Sequence, residues 1–494
     1  MNLNQLTLTE ASEGLAQKKF SSEELTRDCL SAIEKQDKKL HAFLTVGAEG
    51  ALAAAKDVDS HRKKHADLHP LAGIPLAVKD IIATKGMRTT AASKILEGYV
   101  PPYDATVVTR LKQRGMVILG KTNLDEFAHG ASTENSAFSP TKNPWDTTRV
   151  PGGSSGGSTA AVAASECIAA LGSDTGGSIR QPAAFCNVVG LKPTYGSVSR
   201  HGLLSMTSST DVIGPITKTV ADAALLFDAI AGHDPYDATS SAIKPLASFG
   251  GDVTGLTVGI PKEYFGDGIE NDVCVAVDAA IQQLRSLGAR IVECSLPHTA
   301  SAIPVYYIIT PSEVSANLAR YDGIRYGYSV ESPKSIKSKV KNLEEVYAMS
   351  RAGGFGDEAK RRIMLGTYAL SAGYYDAFYV KALQVRTLIR EDFDEVFKTV
   401  DIILTPTSPH VAFKIGEKTN DPLQLYLEDI FVTAVSLAGL PAISVPCGFS
   451  QQGKKKLPIG MQIIGKYNAE ATILRAAYAY EQATPWHKER PLLS

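Results

Sequence analysis

Residues 151–182 read PGGSSGGSTAAVAASECIAALGSDTGGSIRQP. Two glycine-serine clusters bracket a run of Ala, Val, Ile and Cys. Glycine serves where the backbone takes a positive φ or comes very close to another group, so the clusters predict paired turns. Residues 159–164 have the small-residue character of a packed helix, and residues 167–171 the short apolar run of a buried strand. The stretch therefore reads loop, helix, strand, loop, helix. Asp174, Thr175, Gly176, Gly177 and Ser178 form a tight turn at a helix start, where successive backbone N–H groups converge and can hold a developing negative charge.

Outward from this stretch, helix and strand patterns alternate. Ser21 and Glu24 fit a capping box, and Leu25, Cys29 and Ile33 repeat on one face of a helix over residues 21–36. Residues 51–64, rich in Ala and charge, predict a second helix. In HPLAGIPLAVKDII (residues 69–82) a strand-like run follows a Gly-Ile-Pro turn and carries one lysine, Lys79. A lysine among Leu, Ala, Val and Ile is costly unless paired or neutral. The plain structural alternative is that it pairs with Asp80 or reaches water. A helix at 105–111, a strand at 115–119 and a polar loop at 120–136 follow, with β-rich runs at 254–260, 289–292 and 401–404. This alternation predicts an α/β fold: a single large layered domain with a mixed, mostly parallel sheet covered by helices on both faces.

The length of 494 residues with 44% hydrophobic content suits a globular chain with a large core. A formal net charge of −1 gives no bulk support for a polyanion or membrane-surface partner. Six scattered cysteines, with no C-x-x-C and no zinc spacing, fit a reduced, cytoplasmic setting. No signal peptide or membrane span is expected. The one marked charge run, SPKSIKSKVKNLEE at 332–345, reads as a solvated loop leading into a helix.

The glycine-serine clusters do not suit nucleotide binding. A Walker loop needs Lys-Ser/Thr after its last glycine, and here Ser158-Thr159 follows; the dinucleotide fingerprint fits no better. Serine catalysis remains, and a serine hydroxyl needs a base within reach. None of the ten histidines stands in a triad signature. A buried neutral lysine is the alternative base.

GIPLAVKD, PGGSSGGSTAAVAA and GSDTGGSIRQPAAFCNVVGLKPTYG together resemble the amidase signature family. EFAHGASTENSAFSPTKNPWD, ANLARYDGIRYG and FGDEAKRRIMLGTYALSAGYYDAFYVKA are similar to its glutamine-hydrolysing branch, the A subunits of bacterial tRNA-dependent amidotransferases. The resemblance spans nearly the whole chain. It implies one amidase signature domain over residues 1–494, with the catalytic core at about 70–210 and the substrate pocket at about 300–435. It further implies a Ser-Ser-Lys triad in which Lys79 is the base, Ser154 the relay after a cis peptide bond, and Ser178 the nucleophile. The backbone N–H groups of Thr175, Gly176, Gly177 and Ser178 would surround the oxyanion.

For the substrate's carboxylate and ammonium groups the resemblance implies Arg362, with Arg361 as the other choice, and Asp429, together with Tyr306 or Tyr307. His129 and Gly130 are expected at the pocket rim. His129 stands where the relatives carry methionine, and Ala91 where they often carry cysteine. A rim histidine is expected to titrate near neutral pH. No cofactor is expected in this chain. The resemblance implies that ATP and magnesium belong to a partner B subunit that also holds Glu-tRNA(Gln), and that a small C subunit completes a heterotrimer. A stand-alone amidase acting on another carboxamide and a catalytically silent scaffold are the competing readings.

Overall fold

The computed structural model describes residues 2–64, 68–243, 246, 250–266, 268–331, 340–419, 421–453 and 455–492. Residues 332–339, most of the charge run, lie outside the described residues. Beyond them Asn342 Oδ1 accepts from the Glu345 N–H at 2.9 Å and caps the helix Leu343–Gly354. The expected capping box is present at the start of the helix Ser22–Leu40, with reciprocal bonds between Ser21 and Glu24 of 3.1 and 2.7 Å. The helix is one turn longer than its apolar stripe suggests, running on to His41 in the left-handed conformation.

Among the described residues eleven strands form one sheet: β1 (Phe43–Val46), β2 (Pro75–Lys79), β3 (Val117–Thr122), β4 (Ala169–Asp174), β5 (Val189–Lys192), β6 (Val212–Thr217), β7 (Thr257–Pro261), β8 (Arg290–Cys294), β9 (Ile402–Pro406), β10 (Ala442–Gln452) and β11 (Lys455–Gly465). Their spatial order is β1-β3-β2-β4-β6-β5-β10-β11-β9-β7-β8. Every residue of β2 to β6 and of β9 is buried, as a sheet covered on both faces requires.

The fold class is α/β with a mixed sheet, as expected, but the sheet is not mostly parallel. Of the pairings among these strands, β2 with β3, β2 with β4, β7 with β8 and β7 with β9 run parallel. The other six are antiparallel, because β5, β6 and the β10–β11 hairpin occupy the middle of the sheet. Pro446 and Pro458 interrupt the apolar pattern of that hairpin, and a register shift between Pro446 and Gly448 absorbs the first of them.

The central stretch folds in the expected order with shifted limits. The helix begins at Gly156 and runs to Ala163, although two glycines are poor first-turn residues. The neighbouring polar loop compensates by taking the free first-turn donors: Gly156 N–H donates to Thr133 Oγ1 at 3.1 Å and Gly157 N–H to Asn123 O at 3.2 Å. β4 then carries the chain to Asp174, and the turn feeds the helix Arg180–Cys186. Among the described residues no helix is long and apolar enough to cross a membrane.

Candidate active site

Lys79 is the last residue of β2 and is fully buried. Its Nζ lies 2.8 Å from Ser154 Oγ, 2.9 Å from Ser155 Oγ and 2.9 Å from Ser173 Oγ. The structural alternative fails: Asp80 turns away to Lys121, 3.5 Å off, and accepts from Thr90. Burial pushes the Lys79 ammonium down to about 7, against the upward pull of Asp125, Asp174 and Asp211. Ser173 O lies a little further off at 3.5 Å, and a neutral amine in this ring of oxygens has two N–H donors and one lone pair that can accept a hydroxyl proton. Ser155 commits its own proton to the Ser173 carbonyl at 3.1 Å, so toward Lys79 it acts as acceptor. Ser154 Oγ has no other partner among the described residues, so its proton is free to point at the amine.

The Gly153–Ser154 peptide bond is cis, as the resemblance implied. Ser155 N–H donates to Ser178 O at 3.2 Å and ties the two clusters together. Ser178 Oγ makes no hydrogen bond within the protein among the described residues, and 8% of the residue remains exposed. Its turn is locked by a buried pair that sequence inspection missed. Arg180 donates from Nε and Nη2 to the two oxygens of Asp174, each at 3.0 Å, and onward to Gln462, Val432 O and Ser436. The guanidinium holds the Asp174 carboxyl down at about 2 despite its burial. Two charges six residues apart in a glycine-rich loop give no periodic signal, so only the folded turn shows them as a pair.

Asp174 also corrects the expected oxyanion set. Gly177 N–H donates to Asp174 Oδ1 at 2.8 Å, and Ile179 N–H to Asp174 Oδ2 at 3.2 Å. The Gly177 donor is therefore occupied. Gly177 itself holds φ at +131°, with Val432 packed where a side chain would stand, and so only glycine suits the bend. Thr175, Gly176 and Ser178 keep N–H groups without a partner among the described residues. Thr175 is fixed by its hydroxyl, which donates to Asp211 Oδ1 at 2.7 Å.

Around Ser178 the expected pocket residues fall in distinct places. The Tyr306 hydroxyl lies 2.7 Å from where a Cβ on Gly176 would stand, so this ring covers the turn. Tyr307 instead packs on Arg362, whose guanidinium carbon is 5.2 Å from the ring centroid. Arg362 is buried, whereas Arg361 is part-exposed and pairs with Glu358. Asp429 Oδ1 lies 3.5 Å from the Cβ position of Gly177, and the carboxylate accepts no hydrogen bond among the described residues. Burial, with Glu428 adding to it, pushes the Asp429 carboxyl well above the usual range. Gly130 lies against the Asp125 carboxylate.

His129 does not behave as expected. It is fully buried rather than at a rim, both ring nitrogens lack a partner, and burial and the nearby Arg362 charge hold its pKa well below the usual value. A neutral imidazole at neutral pH follows, not a titrating one. Among the described residues no group of three His, Cys, Asp or Glu is placed to hold a metal.

Residues 24–474 match the profile of the amidase family. Over its full length the chain is 57% identical to the A subunit of glutamyl-tRNA(Gln) amidotransferase from Carboxydothermus hydrogenoformans, covering 100% of both proteins. It is 56% identical to the protein of the same name from Moorella thermoacetica, over 100% of this chain and 99% of that one. Among solved structures, the glutamyl-tRNA(Gln) amidotransferase A subunit of Thermotoga maritima superposes with a TM-score of 0.80 at 44% identity, covering 98% of this chain and 96% of that one. The peptide amidase of Stenotrophomonas maltophilia superposes with a TM-score of 0.80 at 29% identity, over 98% of each chain.

Proposed function

The chain belongs to the amidase family, and we propose that within it this protein is the glutamine-hydrolysing A subunit of a tRNA-dependent amidotransferase, supplying ammonia to a partner that converts Glu-tRNA(Gln) to Gln-tRNA(Gln). One observation carries the chemistry: a fully buried lysine amine lies 2.8 Å from Ser154 Oγ, in hydrogen-bond contact with serines and, among the described residues, with no imidazole. Neutral Lys79 takes the Ser154 proton as Ser154 takes that of Ser178, and Ser178 Oγ bonds to the carboxamide carbon. The oxyanion draws the free N–H groups of Thr175, Gly176 and Ser178, each worth roughly 3 kcal/mol. The C–N bond then breaks, the relay returns a proton to the leaving nitrogen, and ammonia departs. Water, activated by the same relay, adds to the Ser178 ester and releases glutamate.

Arg362 and Asp429 suit the two charged groups on the α-carbon of a free amino acid. A guanidinium whose Nη edge has no partner among the described residues matches a carboxylate, and the buried Asp429 carboxyl, favoured as the neutral acid while unpaired, gains an ion pair when an ammonium docks. Replacing Arg362 with alanine lowers the ratio of glutamine to simple-carboxamide kcat/KM by about a hundredfold, the scale of two charge-assisted hydrogen bonds. Parallel rates on glutamine and a short aliphatic amide check this; an unchanged ratio refutes the clamp.

ATP and magnesium act, in this reading, in a B subunit that carries the tRNA, and a small C subunit completes a cytoplasmic heterotrimer. Affinity purification of the tagged chain from its own cells is expected to bring down two further polypeptides in constant ratio. Recovery of the chain by itself, fully active, would leave a stand-alone amidase instead.

A further inference from the structure

Arg362 is not held by its neighbours at random. Its Nε donates to Glu358 Oε1 at 2.8 Å, one helical turn back on the helix Asp357–Ala369. The same oxygen accepts from the Tyr426 hydroxyl at 2.9 Å, across 68 residues of chain. The Tyr426 ring stacks on Tyr307 with centroids 3.8 Å apart and planes at 18°, and its centroid is 5.5 Å from the Arg362 guanidinium carbon. Arg361 pairs with the other oxygen of Glu358 from the solvent side. Tyr426 ends the short helix Pro422–Tyr426 and is followed directly by the turn Leu427–Asp429, so the segment that Tyr426 anchors is the one that carries Asp429. A buried carboxylate thus joins the two ends of the amino-acid site, one through each hydrogen bond.

We propose that Glu358 is the positioning residue for amino-acid recognition and that Tyr426 is its latch, orienting Arg362 and fixing Asp429 relative to it. This rests on the assignment of Arg362 and Asp429 as the glutamine clamp. By consuming Nε, Glu358 leaves the Nη1 and Nη2 edge of Arg362 as the face presented to a carboxylate. By holding Tyr426, it sets the distance between that edge and the Asp429 carboxylate. The pair therefore recognises the two charges carried by one α-carbon, and a simple carboxamide lacking both gains nothing from it.

The test uses the full chain with the partners it purifies with, comparing Tyr426→Phe, Glu358→Gln and the double variant on glutamine and on a short aliphatic amide. Tyr426→Phe removes one hydroxyl from a stacked ring and keeps its volume, so it reports on the latch with little risk to folding. Each single variant is expected to raise KM for glutamine about tenfold with kcat within about twofold, and so to lower the glutamine-to-amide ratio. The double variant is expected to fall short of the product of the two, because both act through one oxygen. Glutamine KM within twofold of the parent, or an equal KM rise for both substrates, overturns the proposal. Arg362→Ala separates the two levels: if it changes the ratio while both latch variants do not, the clamp stands and the latch fails; if it leaves the ratio unchanged, the clamp itself has failed.

Discussion

Replacing Ser178 by alanine removes glutamine hydrolysis, with kcat falling roughly ten-thousandfold or more, the scale on which serine hydrolases lose activity without their nucleophile. The physical reason is local. Ser178 Oγ has no hydrogen-bond partner among the described residues, so its loss leaves no buried polar group stranded and the turn stays fixed by Asp174 and Arg180. Folding, measured by the thermal midpoint, should stay within a degree or two, which separates lost chemistry from lost structure. Ammonia release continuing at the parent rate would mean that another group attacks the amide.

Lys79→Met produces an effect of similar size by a different route. It keeps the stem and removes the base, so Ser154 has nothing to receive its proton, and a loss of about a thousandfold or more follows. In the parent, kcat/KM rises with pH through about 7 as the amine loses its proton, and at pH 6 lies about tenfold below its plateau. The fall is shallower still at lower pH. Asp125 and Asp211, both raised to about 6 by burial, take up protons there and withdraw their support for the ammonium. The residual activity of Lys79→Met lacks this rise; a parent-like profile in the variant would assign it to another group.

The same substitution has a stability signature whose sign is fixed by linkage. The folded-state pKa of Lys79 is about 7, below its ordinary 10.5, so between these values the unfolded chain binds more protons than the folded one. The buried amine's burden is full below about pH 7 and is relieved as pH rises toward 10.5. Lys79→Met should therefore exceed the parent in denaturant midpoint most clearly below pH 7, with the gap narrowing in alkali.

Much of this site is legible without coordinates. Lys79 stands out as the one charge in an apolar strand, and the two glycine-serine clusters mark the turns that meet it. Residue identities cannot show how donors and acceptors are distributed inside those turns. Ser155 and Ser173 share the amine with Ser154, and the Gly177 N–H is occupied by Asp174; both facts depend on backbone direction over a few residues. Glu358 and Tyr426 meet across 68 residues and belong to segments with no common pattern. His129 misled because the resemblance implies a place at the pocket rim, whereas Phe127 at φ 47° and Ala128 at φ 65° turn its loop inward and the ring is buried. In the sheet, the parallel βα units are readable from alternation, while the proline-bearing β10–β11 hairpin lacks the period-two pattern that would announce it.

The position of that hairpin governs how the chain comes into being on the ribosome. β1 to β6 and β7 to β9 are joined edge to edge only through β10 and β11, which are made last of all the strands. β5 lacks its neighbour until residues 442–444 of β10 are made, and β9 until residues 461–465 of β11 are, so nascent chains arrested before those points should display an open sheet edge to chaperones and proteases. Completion of the sheet around Lys79, although β1 to β6 are encoded in the first 217 residues, thus waits on the hairpin made after every other strand.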